Sequence, residues 1–150
     1  GYNWGAKKMD RVFQTFKLTI LCTTIVSTLG FLLCMIFPAG IAAAFTSNQE
    51  MIDLTSHGMR IYMIAFPIVG FQIATSNFFQ SIGKAKIAIF LSLSRQLLCL
   101  LPFLAIFPLF WGLDGVWASI SASDLLASLL TAGVLIYYRK MWSKNYQLKV

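Results

Sequence analysis

Residues 18–37 read LTILCTTIVSTLGFLLCMIF, a run of 20 residues without a charged side chain. An α-helix rises 1.5 Å per residue, so about 20 apolar residues cross the roughly 30 Å hydrocarbon core of a bilayer. Residues 61–80, 87–107 and 116–138 form three further stretches of this length, each with at most one charged side chain. Because none of them alternates as the strands of a membrane barrel do, the sequence predicts an all-α, polytopic transmembrane bundle of four spans.

The composition of the whole chain leads to the same fold class. Of its 150 residues, 58% are hydrophobic and 11% are charged, whereas an average soluble domain carries about 25% charged residues. A soluble fold with this composition would expose large apolar patches to water. The lipid bilayer is therefore the expected surrounding, and the sequence predicts no separate soluble domain within residues 1–150.

The charged residues lie between the spans and orient them. Four spans place both termini on one side of the membrane, and positively charged loops favour the cytoplasm. The side that holds the termini would carry Lys7, Lys8, Arg11, Lys84, Lys86, Arg139, Lys140, Lys144 and Lys149 against Asp10. The opposite side would carry Glu50, Asp53 and Asp114 against Arg60. Both termini are thus predicted to be cytoplasmic. The basic residues form no helical stripe with interleaved aromatics, so no nucleic-acid partner is expected.

Polar residues inside the spans are the candidate functional residues, because lipid offers them no partner. The candidates for lining a cavity are Gln72, Ser76, Asn77, Arg95, Gln96 and Asp124. Three interpretations stay open. The side chains hold the helices together through hydrogen bonds and an ion pair between Arg95 and Asp124, or they line a cavity that handles protons or substrate. In the third, Arg95 and Asp124 act independently, by snorkelling to the membrane surface or by local capping. Counted along straight helices, Arg95 and Asp124 differ in depth by about 8–9 Å, so pairing requires stretching or tilting.

Prolines and small residues predict bends and close packing. Pro67 and Pro102 lie within the second and third spans, where a proline removes a backbone hydrogen bond and bends its helix. Ser119, Ser123 and Ala127 are spaced four residues apart in the fourth span, a pattern that lets a partner helix approach closely. A polar helix that begins near Asn48 is expected at the membrane surface, with His57 solvated.

Short motifs occur in a characteristic order along the chain. They are GYNWGAKK at residues 1–8 followed by Arg11, Phe45-Thr46, Arg60 leading to Ala65-Phe66-Pro67, FFQSIGKA at 78–85, SRQ at 94–96, GLDGVW at 112–117 and Ser123-Asp124. Their order and spacing resemble those of the multidrug and toxic compound extrusion (MATE) family. The resemblance implies that residues 1–150 are the end of helix eight and helices nine to twelve of a twelve-helix transporter, most of its C-terminal lobe.

The resemblance also implies a function. MATE transporters are cation-coupled antiporters, driven by H⁺ or Na⁺, which export amphipathic and often cationic drugs by alternating access. The expected partners are the N-terminal lobe of the same protein and small cationic substrates. The expected location is the plasma membrane, in bacteria the inner membrane. A carboxylate would suit a coupling ion, but the corresponding helix offers Gln72 instead. Which of the two ions drives transport is therefore left open. No cofactor and no metal site are expected.

Two other transporter classes remain alternatives. A lipid-linked oligosaccharide flippase of the same superfamily would share the topology, but its cavity should be strongly basic. A small four-helix drug exporter would match the span number, but it depends on a glutamate in its first helix, and residues 18–37 contain no acid. Enzyme chemistry is not expected, because the spans hold no Ser/His/Asp set and no paired carboxylates.

Overall fold

The computed structural model describes residues 1–146, with side chains up to Trp142. Among these residues every regular element is helical, which confirms the all-α prediction. A 3₁₀ turn spans Met63–Ala65 and a π-helix spans Ser94–Leu100. The α-helices are α1 (Tyr2–Gly5), α2 (Met9–Ile36), α3 (Pro38–Ala43), α4 (Gln49–Tyr62), α5 (Phe66–Ser81), α6 (Ala85–Leu93) and α7 (Leu101–Tyr146). Lys149 and the side chain of Lys144, both assigned above to the cytoplasmic side, lie outside the described residues.

Three helical stretches in the described part of the chain are long and apolar enough to cross a membrane. They are Met9–Ile36, Gln49–Ser81 and Ala85–Trp142. The third is 58 residues long and would measure about 87 Å if it were straight, far more than one crossing needs. It contains both of the last two predicted spans, so length and composition alone yield three stretches where four spans were predicted.

A turn at Gly112 divides the third stretch. Its φ of 54° and ψ of −128° are those of the first central residue of a type II′ turn, a position that favours glycine. The chain folds back immediately afterwards, since a Cβ on Gly115 would lie 2.3 Å from the carbonyl oxygen of Phe107. Pro108, which the sequence analysis did not single out, precedes this turn inside α7. Below, residues 101–111 and 113–146 are the first and second arms of α7.

The helix start near Asn48 is confirmed. The Asn48 side chain accepts a hydrogen bond of 3.3 Å from the backbone N–H of Met51, which caps α4. His57 on α4 is exposed, as expected, and its Nε2 lies 3.0 Å from Oδ1 of Asp114, just beyond the Gly112 turn. This pair links α4 to the start of the second arm, a contact that the sequence did not indicate.

Helices α2 and α5 pack at very short range. A Cβ on Gly70 would lie 2.6 Å from the carbonyl oxygen of Thr23, so only glycine fits without a shift. The Ser27 hydroxyl donates a 3.1 Å hydrogen bond to the carbonyl oxygen of Pro67 on α5. Pro67 itself lies in the first turn of α5. A backbone N–H has no helical acceptor at this position, so the proline costs the helix no hydrogen bond.

An aromatic cluster closes one end of the bundle. Trp142 is 2% exposed, and its ring centroid lies 5.5–6.1 Å from those of its neighbours. We define this cluster as Trp4, Phe78, Phe79, Tyr138 and Trp142. Lys84 lies above the Tyr138 ring at 5.0 Å from its centroid, which places the basic loop between α5 and α6 at the same end. The cluster therefore joins α1, α5 and the second arm of α7 at the basic end of the molecule.

Candidate functional site

An ion pair joins the π-helix to the second arm of α7. Nε of Arg95 lies 2.7 Å from Oδ1 of Asp124, and the two side chains are 34% and 8% exposed. The sequence left this pairing open, and the structure shows it. Removing one partner of a buried ion pair typically costs 3–5 kcal/mol, because the other charge stays buried alone.

The π-helix explains how Arg95 reaches Asp124. Its backbone bonds run from i to i+5, which widens the turn and changes the direction in which each side chain leaves the axis. The depth difference expected above assumed straight α-helices. Pro102 is the second residue of the α-helix that follows the π-helix. π-helical turns are rare and occur frequently at functional sites.

The small residues of the second arm form its buried face. Ser119, Ser123 and Ala127 are 0%, 1% and 2% exposed, as expected from their spacing. Closer to the turn, the Cβ of an alanine at position 58 would lie 2.4 Å from the Trp117 ring, so α4 also approaches this arm closely. The close approach predicted for this helix is confirmed.

Ser121 ties the second arm to the break between α4 and α5. Its hydroxyl donates to the carbonyl oxygens of Ile61 and Tyr62, at 2.7 and 2.8 Å. These carbonyls lie just before the 3₁₀ turn Met63–Ala65, where the regular ladder of α-helical hydrogen bonds is interrupted. The single proton of the Ser121 hydroxyl is therefore shared between two carbonyl oxygens that flank the helix break.

Several buried side-chain oxygens on α5, the π-helix and the second arm have no hydrogen-bond partner among the described residues. They are Oε1 of Gln72 and the hydroxyl oxygens of Ser94 and Ser128. Oδ1 of Asp124, by contrast, lies 2.7 Å from Nε of Arg95, its partner in the ion pair. Each buried, unsatisfied polar group costs about 1–3 kcal/mol. A few unsatisfied polar groups are therefore buried inside an otherwise apolar bundle.

The predicted cavity residues divide into two groups. Gln72 is buried at 4% exposure, and the Ser76 hydroxyl donates a 3.3 Å bond to the Ala88 carbonyl oxygen on α6. Asn77 and Gln96, by contrast, are exposed on the surface of the described segment. The interior thus holds Gln72, the half-buried Ser76 and the ion pair, whereas the other two predicted residues point away from it.

Gln72 is not a direct neighbour of the ion pair. Phe79 of α5 lies beside Tyr138 of the second arm, with ring centroids 5.3 Å apart. The Ser121 bonds place the start of this arm beside the end of α4, so α5 and the arm run in the same direction. This register sets Gln72 near the level of Thr131, roughly 10 Å along the axis from Asp124.

A small cavity of about 170 Å³ lies between α1, α2 and α5. Its lining is mixed, with an apolar floor that includes Phe16 and Phe78. Its polar lining residues are Asn3, Thr15, Thr19, Asn77 and Ser81. Asn77 is the one predicted site residue that lines it.

Ser94 is a buried polar residue that the sequence analysis did not include among the candidate site residues. It is 2% exposed and its hydroxyl oxygen is among the unsatisfied group. Its position next to Arg95 was the available signal, but a serine in a helix usually bonds back to its own backbone, and the sequence does not indicate that Ser94 departs from this habit.

Comparisons with known proteins agree on one family. The MatE family model matches residues 1–106. A solved structure described as the MATE multidrug transporter DinF-BH in complex with a ligand is 38% identical, with a TM-score of 0.84 over 99% of this chain and 32% of that one. An inward-facing conformation of a multidrug resistance MATE family transporter of the MOP superfamily shares the fold, with a TM-score of 0.85 at 21% identity over 100% of this chain and 34% of that one. No curated protein sequence matches. The chain spans about a third of the length of these solved structures.

Proposed function

The chain belongs to the MatE family of transporters, and from this premise we propose that it forms most of the C-terminal lobe of a cation-coupled antiporter that exports amphipathic, cationic drugs. It is a multi-pass membrane protein, and members of the family are transporters rather than enzymes. The observation that carries the proposal is the ion pair of Arg95 and Asp124 inside an apolar helix bundle. Ionisable side chains at such depth are costly, and in membrane proteins they mark substrate and ion pathways.

The proposed topology has four spans and cytoplasmic termini. The Gly112 turn supports four spans, because it lets residues 87–107 and 116–138 lie side by side, and the contact of Arg95 with Asp124 fits this arrangement. The basic residues at the aromatic-cluster end favour the cytoplasm for that end. We place the complete protein in the plasma membrane, in bacteria the inner membrane.

The proposed roles follow the position of each residue. Arg95 and Asp124 line or brace the cavity that this lobe shares with an N-terminal lobe, and Gln96 lies at its surface. Gln72 and Ser76 supply hydrogen bonds to substrate from the interior and Asn77 supplies one from the surface beside the small cavity, while Pro67 and Pro102 lie beside the breaks in their helices. The driving ion is H⁺ or Na⁺, and no cofactor takes part.

Loss of either charge of the ion pair tests this proposal. In the complete transporter, Asp124→Asn and Arg95→Ala are each expected to lower the efflux of a fluorescent cationic dye by about tenfold or more, since a buried charge left alone changes the cavity by several kcal/mol. Efflux is measured from dye-loaded cells, and membrane abundance by immunoblot. Leu97→Ala, an exposed change in the same π-helix, should leave efflux at its normal rate. Normal efflux in both charge variants would limit the pair to packing.

The observed geometry speaks against the two alternative transporters. A flippase for an anionic lipid needs excess positive charge in its cavity, whereas the charge of Arg95 is offset by Asp124. A small four-helix exporter needs an acid in its first span, and residues 18–37 have none. Membership in the MatE family also favours the multidrug antiporter.

A further inference from the structure

Arg95 covers Asp124 from the surface of the described segment. The arginine side chain is 34% exposed, while the carboxylate behind it is 8% exposed. A group that approaches this carboxylate from the direction of Arg95 therefore meets the guanidinium first. Both side chains lie on elements that other helices hold in place, the π-helix after α6 and the buried face of the second arm.

Arg95 occupies the carboxylate of Asp124. Its Nε lies 2.7 Å from Oδ1 of Asp124, so the guanidinium fills the place that another cation would take. Ser128 lies one helical turn beyond Asp124 on the same face, roughly 6 Å away, and its buried hydroxyl oxygen has no hydrogen-bond partner among the described residues. A buried carboxylate with an unsatisfied hydroxyl nearby suits a cation that carries its own N–H donors.

We propose that Arg95 is an internal occupant of a cation site, and that the cationic nitrogen group of a substrate displaces it to bind Asp124 and Ser128. The inference rests on the proposed function and deepens it, since it names the anion that the substrate meets in this lobe and the side chain that must leave first. Arg95 is then a competitor of the substrate rather than one of its ligands.

The π-helix gives Arg95 a way to leave. A π-helix holds an extra residue in its turn, and rewinding it to an α-helix rotates the preceding residues by about 100°. Pro102 has no N–H, so rewinding breaks no backbone hydrogen bond donated by that residue. In the proposed exchange, rewinding of the segment Ser94–Leu100 carries the arginine away from the carboxylate.

Binding measurements on the complete transporter in detergent test the exchange. The probe is ethidium, a fluorescent cation with amino groups, and its Kd is read by fluorescence polarisation. Arg95→Gln removes the competitor, so the Kd is expected to fall about tenfold, as when a close charge pair no longer has to be broken. Asp124→Asn removes the anion and should raise the Kd about tenfold, and the double variant should bind as weakly as Asp124→Asn. Leu97→Ala, on the exposed side of the π-helix, is the matched control and should keep the normal Kd.

A second substitution covers the case in which Arg95→Gln does not fold. Arg95→Lys keeps a positive charge but loses the planar fork of the guanidinium, and so makes a weaker competitor. Its Kd is expected between those of Arg95→Gln and the unchanged protein. Unchanged or weaker ethidium binding in the folded Arg95 variants, together with normal export by the unchanged protein, would overturn the exchange alone. An unchanged protein that neither binds nor exports ethidium would overturn the proposed function with it.

Discussion

Replacing Trp142 with alanine is expected to destabilise the helix bundle by about 4 kcal/mol, within the range for deletion of a large buried aromatic side chain. Trp142 is 2% exposed, and its ring contacts Trp4, Phe78, Phe79 and Tyr138. Its removal leaves a cavity where three parts of the chain meet, and the aromatic pair energies are lost as well. The thermal unfolding midpoint of the complete protein in detergent measures the effect.

Trp111→Ala is the matched control for this substitution. Trp111 ends the first arm of α7 and is 60% exposed, so its loss should change the stability by less than about 1 kcal/mol. Equal falls of the midpoint in the two variants would show that the aromatic cluster does not hold the basic end together.

Gly115→Ala is the second change with a large expected effect. The new methyl group would lie 2.3 Å from the carbonyl oxygen and 2.5 Å from the carbonyl carbon of Phe107. Both are backbone atoms of the first arm of α7, so the clash cannot be relieved by rotating a side chain. We expect a loss of about 3 kcal/mol, at the upper end for overpacking, measured as a lower unfolding midpoint and a lower yield of monodisperse protein.

Gly133→Ala, in the same arm of α7, is expected to change the stability in the opposite direction. Nothing lies within 4 Å of a Cβ at this position, so alanine should stabilise the helix by about 0.5–1 kcal/mol through its better helix propensity. If Gly115→Ala were as stable as Gly133→Ala, the two arms of α7 could not be as close at the turn as the structure has them.

The fold class was predictable because hydropathy acts over whole stretches. The all-α bundle and the helix start near Asn48 needed only the run length and the local capping chemistry. The division of Ala85–Trp142 was harder, since Gly112 interrupts the helix by its backbone geometry while the residues around it stay apolar. Hydropathy predicted two spans there, but the turn itself shows only in the backbone angles.

The sequence predicted which residues belong to the candidate site, but not how they are arranged in space. Arg95 and Asp124 stood out because charges in apolar spans are rare, yet their pairing stayed open because depth was counted along straight helices. The π-helix that alters this geometry has no sequence signature. The spacing of Gln72 and Ser76 placed them on one stripe, whereas Asn77, one residue further on, faces the small cavity beside α2.

The hydrogen bonds from Ser121 to Ile61 and Tyr62 have a mechanical consequence. A break in a long helix would normally act as a hinge, but here a hydroxyl from a neighbouring helix bridges the two carbonyl oxygens beside the break. The 3₁₀ turn Met63–Ala65 is therefore expected to bend less than an unbraced break, so that α4 and α5 keep a fixed angle to each other.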